Sequence, residues 1–245
     1  MPGNWVHYYF AKDMAKDHKF TFKNDKAYYL GALGPDFLYY LPQQSRGQEV
    51  FTMFHEEKTR EILCYVFDWI EKKELKAYLY GFLTHYALDS GSSFFIYSLQ
   101  NEGFDKYSVK MALDEAILRR RNLRPGGRSP FYPLINLGKE LPKEIARFYQ
   151  GAAKEVYDLE LSSEEINLAY RRFVKLLKIS SSSFSFLKVR RNWYDRAPEQ
   201  LYSKETSEKL FKEFLGSYEN SRRFFERLLT DQFPCAERNF HGDLL

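Results

Sequence analysis

Cysteine is almost missing from this chain, with Cys64 and Cys235 the only two among 245 residues. No disulfide framework can therefore hold the fold, and no Cys-x-x-Cys pair offers a thiolate metal site. There is also no glycine-rich phosphate loop, no Gly-x-Ser-x-Gly elbow and no internal repeat, which removes several common enzyme classes. Alternation of apolar and polar residues never persists long enough for a sheet, so an all-α fold is expected. The amino terminus, MPGNWVHYYFAKDM, has no basic segment followed by an apolar run, and with so little cysteine a cytoplasmic location is the expectation. Charge of one sign does not dominate: 37 Lys and Arg against 33 Asp and Glu give a net charge of +4, which assists contact with phosphate-bearing partners without identifying any. What the chain has in quantity is aromatic side chains, 18% of residues within a 44% hydrophobic total. With 29% charged residues and a mean hydropathy of −0.54, that composition belongs to a globular protein with ample core.

The chain is organised around Tyr78 to Leu99, YLYGFLTHYALDSGSSFFIYSL, a helical run that is apolar nearly all round and carries one formal charge, Asp89. His85 precedes it by four residues, so both side chains project from one face, one turn apart. Neither Lys nor Arg occurs between Lys76 and Lys106, and a carboxylate in so apolar a segment is costly unless a cation neutralises it. A metal ion would serve. So would a structural arrangement, with Asp89 capping a helix end or bonded to the Ser90 to Ser93 cluster and His85 a satisfied core histidine. Thr84, His85, Asp89, Ser90, Ser92, Ser93 and Ser98 make the run a buried central helix in preference to a membrane span.

Amphipathic helices are expected around it over Asn4 to His18, Gln48 to Lys72, Phe104 to Arg121, Glu140 to Asp158, Ser162 to Ile179 and Lys204 to Phe233. His7 lies beside the stripe Val6, Phe10 and Met14, and His55 neighbours Phe51 and Phe54. Ala27 to Tyr40 must break at Gly34-Pro35, placing Asp36 at a turn where it either caps the next helical turn or faces a site. Ser162 or Ser163 with Glu165 or Glu164 resembles a capping box. The stretch 124–133, RPGGRSPFYP, is the strongest breaker and separates an amino-terminal half from a carboxyl-terminal helical half of one domain spanning 1–245.

In order, an early His, then GALGPDFLYY, MFHEEK and GFLTHYALDS resemble the zinc-dependent phospholipase C family, whose all-helical fold is shared with single-strand nucleases. NWYDRAP and RNFHG resemble that family's closing segments more weakly. The resemblance implies metal-ligand roles for His7, Asp36, His55, His85 and Asp89, and zinc, one or two ions, as the cofactor, with another divalent metal as the alternative. Further ligand positions of the family are held here by Ser93, Tyr107 and Met111, which implies that one metal site is lost. The implied activity is hydrolysis of a phosphate ester, a phospholipid or other phosphodiester, with Asp36 orienting or deprotonating water. Zinc would lower the pKa of that water toward neutrality. A basic side chain would have to replace the charge of the missing ion, and Arg119, Arg120, Arg121, Arg190 and Arg191 are candidates by sign. The rival reading is a non-catalytic relative whose aromatic groove binds lipid, nucleotide or protein. A nuclease is the third, and nucleic acid is the less favoured partner. Peripheral contact with a membrane is compatible with a phospholipid substrate.

Overall fold

The computed structural model describes residues 2–41, 47–123, 131–180 and 202–230. Among them are ten α-helices, one 3₁₀ helix and no strand, the all-α architecture expected of the phospholipase C type. The helices are α1 (Asn4–Asp17), α2 (Asp25–Gly31), the 3₁₀ helix (Gly34–Tyr40), α3 (Gly47–Glu56), α4 (Thr59–Ile70), α5 (Lys76–Asn101), α6 (Lys106–Arg120), α7 (Tyr132–Ile135), α8 (Lys143–Tyr157), α9 (Ser163–Ser180) and α10 (Lys204–Thr230). None is long and apolar enough to cross a membrane among the described residues.

The expected central helix is α5. Helices α1, α2, α4, α6, α10 and the 3₁₀ helix all pack on it, which is why its sequence is apolar on nearly every side. Two glycines allow α2 to lie very close: a Cβ on Gly31 would overlap the Tyr78 carbonyl, and one on Gly81 would overlap the Tyr28 carbonyl. That backbone-to-backbone crossing fixes where the chain leaves α2 and hence where Asp36 is delivered. The stripe Val6, Phe10 and Met14 of α1 is fully buried, as its spacing requires.

The segment expected as one helix over Gln48 to Lys72 is two, α3 and α4, broken at Glu57 and Lys58. Lys58 adopts the left-handed conformation, φ 46°, which neither glycine nor proline announces. The break is held from α8: Lys58 Nζ donates to the Val156 carbonyl at 2.7 Å, and Tyr157 Oη donates to the Glu57 carbonyl at 3.2 Å. The capping box at α9 is present, with the Ser162 amide donating to Glu165 Oε2 at 2.9 Å and the Glu165 amide to Ser162 Oγ at 3.2 Å. The breaker 124–133 falls outside the described residues up to 130, and 132–135 form α7. NWYDRAP, RNFHG, Arg190, Arg191 and Cys235 also lie outside them.

Candidate metal centre

The turn that presents Asp36 is built from Gly34 and Pro35. Gly34 has φ +54°, and a Cβ there would overlap the His85 imidazole, so only glycine fits both the backbone and the space. Its carbonyl lies 3.4 Å from Tyr78 Oη and 3.3 Å from Tyr149 Oη, two buried hydroxyls that are 2.7 Å apart. Pro35 then opens the 3₁₀ helix with its φ already set, and Asp36 follows in the first turn.

Five side chains converge there from four helices. His7 Nε2 is 3.1 Å from Asp89 Oδ1, and His85 Nε2 is 3.4 Å from Asp89 Oδ2. His55 Nε2 is 3.2 Å and His85 Nε2 3.9 Å from Asp36 Oδ1. The rings of His7 and His85 stack, with centroids 4.6 Å apart. His7, His55, His85 and Asp89 are at most 2% exposed, whereas Asp36 is 23% exposed and so forms the solvent side of the cluster. These residues make two groups with metal-ligand spacing, His7, His85 and Asp89 in one and Asp36, His55 and His85 in the other.

The tautomers follow from the second ring nitrogens. His55 Nδ1 lies 2.8 Å from the Phe51 carbonyl, and His85 Nδ1 lies 3.2 Å from the Ala32 carbonyl. A carbonyl only accepts, so each Nδ1 carries the hydrogen and each Nε2 turns a lone pair toward a carboxylate. Two acceptors facing each other at this range need a cation between them, either a proton or a metal. Burial pushes the His85 imidazolium down to about 4, against the pull of Asp89 and Asp36, so at neutral pH a proton does not supply that cation at His85. Burial would raise the carboxyls of Asp89 and Asp36. The neighbouring His85 and His7 overcome this at Asp89, and His55 and His85 overcome it at Asp36, so both remain ionised. Asp89 Oδ1 and Oδ2 and His7 Nε2 are buried without a well-formed hydrogen bond. Three imidazoles and two carboxylates form a donor set that suits zinc or another borderline divalent ion.

The structural alternatives for Asp89 are not used. Ser92 Oγ donates to the Leu88 carbonyl and Ser93 Oγ to the Asp89 carbonyl, both at 2.6 Å, so these serines bond the backbone and leave the Asp89 carboxylate to the histidines. Of the other positions set aside for ligands, Tyr107 is 65% exposed and Met111 is partly buried on α6. The three arginines proposed by sign are committed on the surface: Arg119 to Glu115 at 3.5 Å, Arg120 to Glu208 at 3.3 Å and Arg121 to Asp13 at 2.7 Å.

One residue that supports the centre has no motif to announce it. Asp114 of α6 accepts the Val6 amide at 3.0 Å, and its carboxylate fills the space that a side chain on Gly3 would need. It thereby caps the open first turn of α1, from which His7 projects, and its removal from water raises its carboxyl to about 6. The only sequence signal was an acidic residue in an amphipathic helix, and such residues are normally solvated.

Residues 6–90 match the model of the family described as zinc dependent phospholipase C. The matched segment includes all five side chains of the cluster and ends one residue after Asp89. No curated protein and no solved structure gives a significant match to the chain.

Proposed function

We propose that this protein is a metal-dependent hydrolase of phosphate esters, with a phospholipid as the favoured substrate class, and that His7, Asp36, His55, His85 and Asp89 are its metal ligands. The observation that carries this reading is the pair of histidines whose Nδ1 atoms are spent on carbonyls, leaving both Nε2 lone pairs aimed at carboxylates. His85 Nε2 has one lone pair and cannot serve both groups at once. The cluster therefore provides one complete three-residue site and one site that needs a further donor. Zinc is the first candidate, and when bound it supplies charge to neutralise a phosphoryl group and acidifies water.

The side chains have distinct tasks. His55 and His85 are oriented by their carbonyl partners, the second layer that holds an imidazole in one tautomer. Asp89, fully buried between His7 and His85, fixes the spacing of the two groups. Asp36 alone combines an ionised carboxylate with solvent access, so it is the group that receives a proton from attacking water. On the next turns of α5 and at the start of α6, Phe94 and Tyr107 are 81% and 65% exposed, apolar surface that an acyl chain or the edge of a lipid layer would cover.

The reading is tested by elemental analysis of the purified protein and of His85→Ala, followed by a panel of phosphodiesters that includes phosphatidylcholine vesicles, each with and without a chelator. One or two zinc ions in the wild type, fewer in the variant, and chelator-sensitive hydrolysis are expected. Hydrolysis that survives complete removal of metal would overturn it. Metal binding with no turnover on any phosphate ester would leave a binding protein in place of the enzyme.

A further inference from the structure

Positive charge gathers in a groove of about 620 Å³ between α9 and the loop that follows α7. Lys139 comes from the loop, and Arg171, Lys175 and Lys178 come from α9. Glu140 is the one carboxylate that lines the groove with these four cations, so it carries a net charge of +3 where the whole chain carries +4. The spacing of Arg171, Lys175 and Lys178 sets them along one edge of α9 over about 10 Å, with Lys139 on the facing wall. That loop wall is fastened to α9 by side chains of the helix itself. The Leu137 amide donates to Oη of the fully buried Tyr170, and the Leu141 amide donates to Asn167 Oδ1, both at 2.8 Å. Tyr132 and Val174 add apolar lining, and Lys178 Nζ stands 5.7 Å from the Tyr132 ring centroid. None of the five residues of the metal centre lines this groove.

We propose that this groove is a second binding site, separate from the metal centre, for an organic phosphate that carries at least two phosphate groups. The inference stands whether or not the metal centre hydrolyses anything. A groove of this volume is the size of a small-molecule site and far larger than a single phosphate ion. Cations on a solvated face usually have acidic neighbours on the same helix. Here Lys139, Lys175 and Lys178 form no salt bridge among the described residues, and the Arg171–Glu140 pair, at 3.5 Å with both partners exposed, is weak enough for the guanidinium to exchange it for a phosphate. Like charges held on two walls of a concave site repel one another, and an anion between them relieves that repulsion. One phosphate reaches only part of a row about 10 Å long, which is why two or more are required. The apolar lining from Tyr132 and Val174 favours phosphates carried on an organic scaffold over a bare inorganic anion. That chemistry is shared by phosphorylated lipid headgroups and by soluble sugar or nucleoside phosphates.

Inositol trisphosphate is the soluble probe. It is titrated calorimetrically into the full chain as purified and again in chelator, so that any binding at the metal centre is separated from binding at the groove. The proteins are the wild type, Lys139→Gln and Lys175→Gln from the two walls, and Lys212→Gln, which removes an exposed charge on α10. Chelator-insensitive binding is expected in the wild type, weakening as salt is raised. Each groove variant should bind about three- to tenfold more weakly, the loss of one partly screened charge contact, and Lys212→Gln should match the wild type. Sedimentation with phosphatidylcholine vesicles, with and without phosphatidylinositol bisphosphate, then separates the sources. Cosedimentation with the bisphosphate vesicles alone assigns the groove to a lipid headgroup, and binding of the free trisphosphate without cosedimentation assigns it to a soluble organic phosphate. No chelator-insensitive binding of the trisphosphate, unchanged affinity in either groove variant, or an equal loss in Lys212→Gln overturns the inference and leaves the metal-centre reading untouched.

Discussion

Replacing Asp89 by Asn separates a metal centre from a structural ion network, because the two predict opposite effects on the metal-free protein. Asp89 is wholly buried and lies 3.1 and 3.4 Å from two histidine nitrogens. In a structural network with protonated histidines, removing the carboxylate would strand buried positive charge and cost about 3–5 kcal/mol. For a chain of this size, at ~2–4 °C per kcal/mol, the melting temperature in chelator would fall by roughly 6–20 °C. In a metal site the metal-free state already suffers, since an ionised carboxylate faces the His85 lone pair. Asn has nearly the same shape and removes the charge, so stability in chelator should change by no more than about 1 kcal/mol and can rise. Zinc reverses the comparison. At a free concentration 100 times its dissociation constant it stabilises the wild type by about 2.7 kcal/mol, and the melting temperature should rise by roughly 5–11 °C. In Asp89→Asn that rise should disappear. The assay is differential scanning calorimetry of both proteins in chelator and in zinc. A melting temperature in chelator that drops by more than about 6 °C in the variant, with no response of the wild type to zinc, would refute the metal argument.

Two further outcomes follow from the same geometry. His85 has its pKa depressed from 6.5 to about 4, so between those values the unfolded chain binds a proton that the folded chain does not. The stability of the metal-free protein should therefore fall as pH is lowered from 6.5 to 4, by up to about 3 kcal/mol from this group, and His85→Asn should flatten the slope in urea titrations at pH 6.5, 5 and 4; an unchanged slope in the variant would refute the assignment. Gly34→Ala must place a Cβ on a residue at φ +54° and against the His85 ring, so it should cost at least ~2 kcal/mol in chemical denaturation and weaken zinc uptake in the same sample; full zinc affinity would show that the turn does not set the centre.

Helix periodicity made most of the fold legible. The burial of Val6, Phe10 and Met14 and the all-round packing of α5 follow from spacing and composition alone. The division between α3 and α4 does not, because a lysine in the left-handed region leaves no local signature and is held there by hydrogen bonds from α8, a hundred residues away in sequence. The five residues of the cluster were legible through a resemblance to a known motif order and not through any one of them: a buried histidine beside Phe51 and Phe54, or an aspartate after Gly-Pro, has an ordinary structural use when read singly.

The charged residues show a different limit. Charge by sign pointed to a run of three arginines, which is conspicuous in sequence, yet a run of adjacent charges spreads around a helix and finds partners on several sides, as Arg119, Arg120 and Arg121 do with Glu115, Glu208 and Asp13. Lys106 and Lys110 are less conspicuous because they are separated by four residues, and that separation is what keeps them on one edge of α6. The rotation of α6 about its axis is set by a contact 108 residues apart in sequence, between Asp114 and the amide of Val6. A motif template assigns ligands by position, but the rotation of a helix about its axis is fixed by packing. At about 100° per residue, an offset of a single position is enough to exchange an exposed side chain such as Tyr107 for a buried one such as Ser108.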